Sequence, residues 1–247
     1  MKLWKSWVIA KKDFKVFMKK KRILYTLLIL PLIFSVGLPL TIASTPNPTE
    51  GSMIIAGVPL SIMNFFSFFY IILAYIIPTT LASYSIISEK IEESLEPLLA
   101  TPTTDGELLL GKSISSFLPS IAVIYASSVI FMVLSDLLTY KTIGYLFFPN
   151  WTMAIILLLA VPLSSILSVE LNVNISSRVG DVRTAGQLGT LLLIPFMALY
   201  FMIVSSITSL NIVNIAVIMV IFVLIDLALF NINRATFNRN SILTKWK

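Results

Sequence analysis

The chain has 247 residues, of which 57% are hydrophobic and only 12% are charged, with a formal net charge of +6 and a mean hydropathy of +0.94. Soluble domains carry roughly a quarter charged residues, so this composition indicates a membrane protein. The sequence contains no cysteine and no histidine, which excludes disulfides, thiolate chemistry, histidine-ligated metal sites and Ser-His hydrolysis.

The first 22 residues form a lysine-rich segment with helical periodicity. Apolar side chains recur at three- and four-residue steps, at Leu3, Trp7, Ala10, Phe14 and Phe17, and lysines fill the remaining surface. This pattern predicts an amphipathic helix lying along the membrane interface, with tryptophans at the depth of the lipid headgroups. No small-residue cleavage site follows convincingly, so we expect the next apolar run to be a retained helix rather than a signal peptide.

Six apolar runs of about bilayer-crossing length follow, at about 23–43, 60–87, 113–134, 151–171, 186–206 and 212–231. Each run should be a helix, because backbone polar groups cannot remain unpaired in lipid. The predicted fold class is therefore an all-α integral membrane protein. Residues 1–22 form the interfacial helix, and residues 23–247 form one transmembrane domain of six helices.

Lysine and arginine are distributed very unevenly between the connections. Nine lie in residues 1–22, two in 88–112, two in 172–184 and four in 232–247, whereas the alternate connections hold only Lys141. By the positive-inside rule, this distribution predicts a multi-pass protein of the cell membrane with both termini in the cytoplasm. The positive charge thus reflects orientation and contact with the lipid bilayer, and we expect no nucleic-acid partner.

The second run opens with the aromatic cluster "NFFSFFY" at 64–70. One helical face carries Asn64, Phe68, Ile71, Tyr75 and Thr79, and this face could line a substrate pathway or the seam of a dimer. The fifth run carries Gln187, Thr190 and Phe201, which are further candidates for a pathway. An aromatic belt at the membrane interface is an equally good interpretation of the cluster.

The connection 88–112, "SEKIEESLEPLLATPTTDGELLLGK", holds six of the twelve acidic residues of the chain. Ser94 can cap a short helix that ends at Thr101-Pro102, and Leu95, Leu98 and Leu99 would share its apolar face. One interpretation is a polar hairpin packed against the base of the domain. The alternative is a docking element, whose leucines insert into a groove of a partner.

The stretch "GELLLGKS" at 106–113 matches the phosphate-binding pattern G-x-x-x-x-G-K-[ST]. A phosphate loop must be non-helical and must follow a β-strand. Here Thr104 and Glu107 have capping-box spacing, which predicts a helix that starts near Asp105 and continues into the third span. We therefore predict that this chain has no ATP site of its own.

The same connection resembles the cytoplasmic-loop signature of the type-2 ABC exporter permeases, roughly E-K-E-x-G-T-L-E-x-L-L-x-T-P followed by E-x-x-x-G-K. The positions that agree are Glu89, Lys90, Leu95, Glu96, Leu98, Leu99, Thr101, Pro102, Glu107, Gly111 and Lys112. The six-span layout, the N-terminal helix and the chain length also match the family. The sequence departs from the signature at Ile91, Glu93 and Ser94, although serine preserves the cap.

The resemblance implies that this chain is the permease subunit of an exporter and is not itself an enzyme. In the family, this loop is the coupling helix that contacts a separately made ATPase. The residues to which this role is carried over are Glu92, Glu93, Ser94, Leu95, Glu96, Leu98, Leu99, Thr101 and Pro102. The expected partners are two ATPase subunits, which bind ATP and magnesium, and a second permease that is either the same chain or a related one.

Two acidic residues lie inside predicted spans, Glu170 in span four and Asp226 in span six. Intramembrane acids are costly, and we expect Asp226 to pair with Arg234 or Arg178 and Glu170 to pair with Arg183. The alternative function uses both acids as ion or proton sites of a channel or secondary transporter that needs no ATP. A membrane enzyme is the least favoured class, because the spans hold no cluster of metal-binding carboxylates.

Overall fold

The structure is a computed structural model, and all of its described elements are helices. The described residues are 3–43, 54–91, 103–191, 193, 194, 197, 217, 220, 221, 223–228 and 231. The helices are α1 (Leu3–Lys19), α2 (Lys21–Ala43), α3 (Ile54–Ile91), α4 (Asp105–Ile143), α5 (Trp151–Ile155), α6 (Val161–Arg178) and α7 (Val182–Leu191). A π-helical segment, Ile156–Ala160, joins α5 to α6.

Four helical stretches of the described part are long and apolar enough to cross a membrane: Ile23–Thr41, Phe66–Glu89, Gly106–Tyr140 and Trp151–Ser176. They coincide with the first four predicted runs, and they establish a multi-pass helical membrane protein. The predicted spans 186–206 and 212–231 fall mainly outside the described residues. For the fifth run, the structure describes α7 and a few residues beyond it.

The helix that contains "GELLLGKS" begins where its capping signal predicts. Thr104 Oγ1 accepts a hydrogen bond from the Glu107 backbone N–H at 3.3 Å, and the Thr104 backbone N–H donates to Glu107 Oε2 at 3.1 Å. This reciprocal arrangement is a capping box, and α4 runs without interruption from Asp105 to Ile143. The predicted helix is thus confirmed, and residues 106–113 do not form the open loop that a phosphate site needs.

The transmembrane helices pack around an aromatic core in which α2, α3 and α4 meet. The Tyr70 hydroxyl on α3 lies 2.9 Å from Ser35 Oγ of α2 and donates to the Ser127 carbonyl of α4 at 3.3 Å. The Tyr70 ring meets Phe131 edge-on at 5.6 Å, and Phe131 meets Phe148 in the same way at 5.4 Å. Offset aromatic contacts of this kind add to the stabilisation from burial alone.

Helices α3 and α6 are joined by hydroxyl groups that donate to backbone carbonyls. Ser164 Oγ donates to the Ile71 carbonyl at 3.0 Å, and Ser165 Oγ donates to the Ala74 carbonyl at 2.9 Å. Ser168 Oγ also donates to a carbonyl of α3, that of Tyr75. Small hydroxyl residues allow helix backbones in a membrane to approach closely and to share hydrogen bonds.

Candidate functional site

Helix α1 packs on the first turns of α4, and Gly111 makes this contact possible. A Cβ atom at Gly111 would lie 2.8 Å from the backbone oxygen of Ser6 and 2.9 Å from Cβ of Ile9. Both distances are too short for real carbon contacts, so only glycine allows the two helices to come this close. Gly111 of "GELLLGKS" therefore serves helix packing.

Lys112, the next residue, is buried between three helices, with a side chain only 2% exposed. Its Nζ lies 2.7 Å from Glu89 Oε2 at the end of α3 and 3.4 Å from Asp13 Oδ2 of α1. The same Nζ donates to the Ser85 carbonyl at 2.8 Å. A buried ammonium ion is costly unless it is paired and hydrogen-bonded, and these groups meet that requirement.

Hydrogen bonds and a second lysine complete this buried charged cluster. Ser85 Oγ and Ser115 Oγ donate to Asp13 Oδ2 at 2.6 and 3.2 Å. Lys12 Nζ contacts Glu89 Oε1 at 2.7 Å, and the Lys12 side chain is 49% exposed, so the cluster reaches the protein surface on the side of Lys12. Two carboxylates are balanced by two ammonium groups, and the cluster as a whole is neutral. We call Lys12, Asp13, Ser85, Glu89, Lys112 and Ser115 the α1–α3–α4 charged cluster.

The Glu89–Lys112 pair joins the two ends of the predicted coupling segment, because residues 90–111 lie between the two side chains. Four residues that agree with the permease signature thereby acquire structural roles within this chain. Glu89 and Lys112 form the buried pair, Gly111 permits the close approach of α1, and Glu107 caps α4. The residues carried over as ATPase contacts, 92–102, lie outside the described residues.

The side chains that α1 buries are not the same set as the apolar face predicted from the sequence. Ala10 and Phe17, two members of the predicted apolar face, are buried within the protein, whereas Trp7 is 48% exposed. Ile9 and Asp13 are buried on the same side as Ala10 and Phe17. Part of the predicted apolar face therefore packs against the protein itself.

Four of the residues predicted to line a pathway on α3, namely Phe68, Ile71, Tyr75 and Thr79, have described side chains. Phe68 is a buried member of the aromatic core, and Ile71 packs against that core. The Tyr75 hydroxyl donates to the Gly189 carbonyl of α7 at 2.9 Å, and Thr79 Oγ1 lies 2.7 Å from Ser168 Oγ of α6. Phe68 and Ile71 therefore belong to the aromatic core, whereas Tyr75 and Thr79 make polar contacts with α7 and α6.

The remaining pathway candidates lie on α7 or fall wholly or partly outside the described residues. The side chain of Asn64 and the whole of Phe201 lie outside the described residues. On α7, Gln187 is exposed and Thr190 donates to the carbonyl of Gly186 at 2.8 Å. The structure therefore does not test whether these residues line a pathway, and that assignment stays a prediction.

The two acidic residues of the predicted spans lie within range of electrostatic interaction. Asp226 is 8% exposed, and neither of its carboxylate oxygens has a hydrogen-bond partner among the described residues. It lies within electrostatic reach of Glu170 on α6. Arg234 and the side chain of Arg178, the partners predicted for Asp226, lie outside the described residues.

The part of the site that sequence reasoning missed is the contribution of α1. Asp13 is the only acidic residue among residues 1–22, and it follows Ala10 by three positions and precedes Phe17 by four. This spacing places a carboxylate on a face that otherwise carries apolar residues. An isolated acid on that face was the available signal for a buried partner, but the sequence did not identify Lys112 as that partner.

Apolar helices of spanning length, joined at one end by a buried charged cluster, define a multi-pass helical membrane protein. The family model described as ABC-2 family transporter protein matches residues 7–240, so the chain belongs to this family of transporter membrane subunits. The resemblance noted in the connection 88–112 is thus confirmed at the level of the family. A search of curated proteins found no match.

Proposed function

We propose that this protein is the permease subunit of an ATP-driven exporter and is coupled to a separate ATPase through residues 88–112. The observation that supports this proposal is the buried Glu89–Lys112 pair at the base of that segment, in a chain of the ABC-2 family. ATP and magnesium would bind to the ATPase subunits, two per complex. A second copy of the chain or a related permease would complete the pathway in the cell membrane, with both termini in the cytoplasm.

The charged cluster suits the transmission of force from the coupling segment to the membrane helices. A force applied to residues 90–111 acts on the ends of α3 and α4, and these ends are joined through Lys112. Coupling between distant sites requires packed elements that move together, and a base held by buried ion pairs is such an element. Both α3 and α4 continue from this base as helices long and apolar enough to cross a membrane.

Replacement of Leu98 and Leu99 by aspartate tests the docking role. The chain is produced with candidate ATPases, and assembly and ATP-driven transport are measured. Charged residues in place of the leucines should abolish both, since the proposed groove is apolar. Leu98→Met with Leu99→Met is the matched control, because these changes conserve volume and hydrophobicity. Unchanged assembly and transport in the aspartate variant would show that these leucines do not dock.

A second candidate function, ion-coupled transport without ATP, is favoured by the buried carboxylate of Asp226. Within the described part of the chain, Asp226 has no hydrogen-bond partner for either carboxylate oxygen and lies within electrostatic reach of Glu170. Intramembrane acids in such surroundings mark ion and proton pathways in many transporters. This function requires transport that follows an ion gradient and stops in Asp226→Asn. Transport that needs ATP hydrolysis and survives this substitution would exclude it.

A further inference from the structure

The side of α1 that points away from the protein combines aromatic and basic residues. Trp4 is 75% exposed, Trp7 48% and Met18 70%. Lys11 and Lys15 are also exposed, and on a helical projection they lie between and beside these apolar residues. We call Trp4, Trp7, Lys11, Lys15 and Met18 the outer face of α1.

The outer face is held in its orientation by the opposite side of the same helix. Ser6 and Ala10 are fully buried, and Asp13 is anchored in the charged cluster by Ser85 and Ser115. Gly111 allows the backbone of α1 to lie directly on α4. Rotation of α1 to bury its tryptophans would break these contacts, so the outer face keeps its exposure.

The position and charge of the outer face indicate what covers it. Helix α1 ends at Lys19, and α2 begins at Lys21 and contains the first membrane span, so α1 lies beside the membrane boundary. Asp13 is the only acid of α1 and points into the protein, which leaves the outer face with positive charge alone. Tryptophan favours the headgroup region of a bilayer, and lysine at that depth attracts phosphate.

We propose that the outer face of α1 binds the headgroups of anionic phospholipids and thereby sets the position of Asp13 beside Lys112. Lys11 and Lys15 contact lipid phosphates, and the two tryptophans hold the helix at the interface. The proposal has two halves. The lipid-binding half is the contact of α1 with the headgroups, and it does not depend on the proposed function. The regulatory half is the effect of that contact on the position of Asp13 and hence on transport, and it rests on the proposed function. Membrane charge would then influence how firmly α1 supports Lys112 and Glu89.

Lipid binding is tested on the full chain alone, without an ATPase. The chain holds four tryptophans, and replacement of Trp151 and Trp246 by phenylalanine leaves Trp4 and Trp7 as the reporters. The protein is placed in nanodiscs that contain quencher-labelled phosphatidylglycerol or, in parallel, quencher-labelled phosphatidylcholine. Stronger quenching by labelled phosphatidylglycerol is expected, and it should weaken as salt is added.

The double substitution Lys11→Gln, Lys15→Gln should weaken the apparent affinity for phosphatidylglycerol on the order of tenfold, because each lysine near an anionic surface strengthens binding severalfold. Arg183→Gln is the matched control, because Arg183 is an exposed basic residue outside α1. Equal quenching by both lipids, or quenching that the lysine variant leaves unchanged, would overturn the proposal. Absence of quenching by either lipid would also overturn it and would indicate a protein partner on this face.

The regulatory half is tested in vesicles that contain the assembled transporter. ATP-driven transport should rise with the fraction of phosphatidylglycerol in the unsubstituted protein and should respond less in the lysine variant. Lipid binding without any effect on transport would overturn the regulatory half. Loss of ATP-driven transport in every lipid would count against the proposed function instead.

Discussion

Two contacts hold helices of this protein together by opposite chemistry. One joins α1 to α3 and α4, and the other joins α3 to α6. The first depends on one buried lysine that two carboxylates from two other helices approach. The second is spread over several neutral hydroxyl groups, each of which donates one hydrogen bond to a backbone carbonyl. The charged contact is sensitive to single substitutions, whereas the neutral contact is tolerant of them.

The largest effect is expected for Lys112→Met, which removes the ammonium group and leaves Asp13 and Glu89 buried near each other. Loss of one partner from a buried ion pair costs about 3–5 kcal/mol. The free energy of unfolding in mixed micelles measures this loss. Lys19→Met is the control, because Lys19 is exposed and its removal should change stability by about 0.5 kcal/mol or less. Equal effects of the two substitutions would show that the charged contact is not concentrated at Lys112.

The next effect is expected for Gly111→Ala, whose added methyl group would meet the backbone of Ser6. Overpacking of this kind costs about 1–3 kcal/mol. Gly37→Ala in α2 is the matched control, because a Cβ there meets nothing within 4 Å. Alanine should stabilise that helix by up to about 1 kcal/mol. Opposite signs in the two unfolding measurements would support the close approach of α1 and α4, and equal signs would contradict it.

A smaller loss of stability is expected in the neutral contact between α3 and α6, for Ser165→Ala. This change removes one hydroxyl group that donates to the Ala74 carbonyl. Hydrogen bonds between membrane helices contribute on average about 0.6 kcal/mol, so stability should fall by roughly that amount. A loss as large as that of Lys112→Met would show that the α3–α6 contact is as concentrated as the charged one.

The smallest effect on stability is expected at the start of α7, which carries the exposed charge of Asp181. The Asp181 carboxylate accepts hydrogen bonds from the backbone N–H and the hydroxyl of Thr184, both at 3.0 Å. The backbone hydrogen bond of Thr184 is the main reason that the pKa of Asp181 is lowered from its ordinary value. A lowered pKa means that the stabilisation is present above the pKa of the unfolded chain, about 3.9, and is lost as the pH falls through the folded value.

Hydrogen exchange of the first amides of α7 tests this pH dependence, because the helix start should open as the pH falls through this range. The substitution Asp181→Asn keeps a cap but introduces a side chain that cannot titrate, so exchange in this variant should not show the acid-induced opening. An identical acid response in the substituted and unsubstituted proteins would assign the opening to another group.

Features encoded by neighbouring residues were predictable. The start of α4 follows from Thr104 and Glu107, which are three positions apart, and the four described spans coincide with apolar runs. The charged cluster was not predictable in this way, because Lys112 and Asp13 are 99 positions apart and meet only when three helices pack. Within the signature, Glu89, Gly111 and Lys112 were recognised by resemblance, but their contacts were not.

The sequence by itself determined that the chain crosses a membrane as helices, because apolar runs in lipid leave the backbone no other way to satisfy its hydrogen bonds. It also determined the family, through residues spread along 7–240. Only the tertiary structure decided what Gly111 and Lys112 do. Helix α4 places Gly111 against the backbone of α1 and Lys112 between Glu89 and Asp13. Both contacts depend on how helices distant in sequence approach one another.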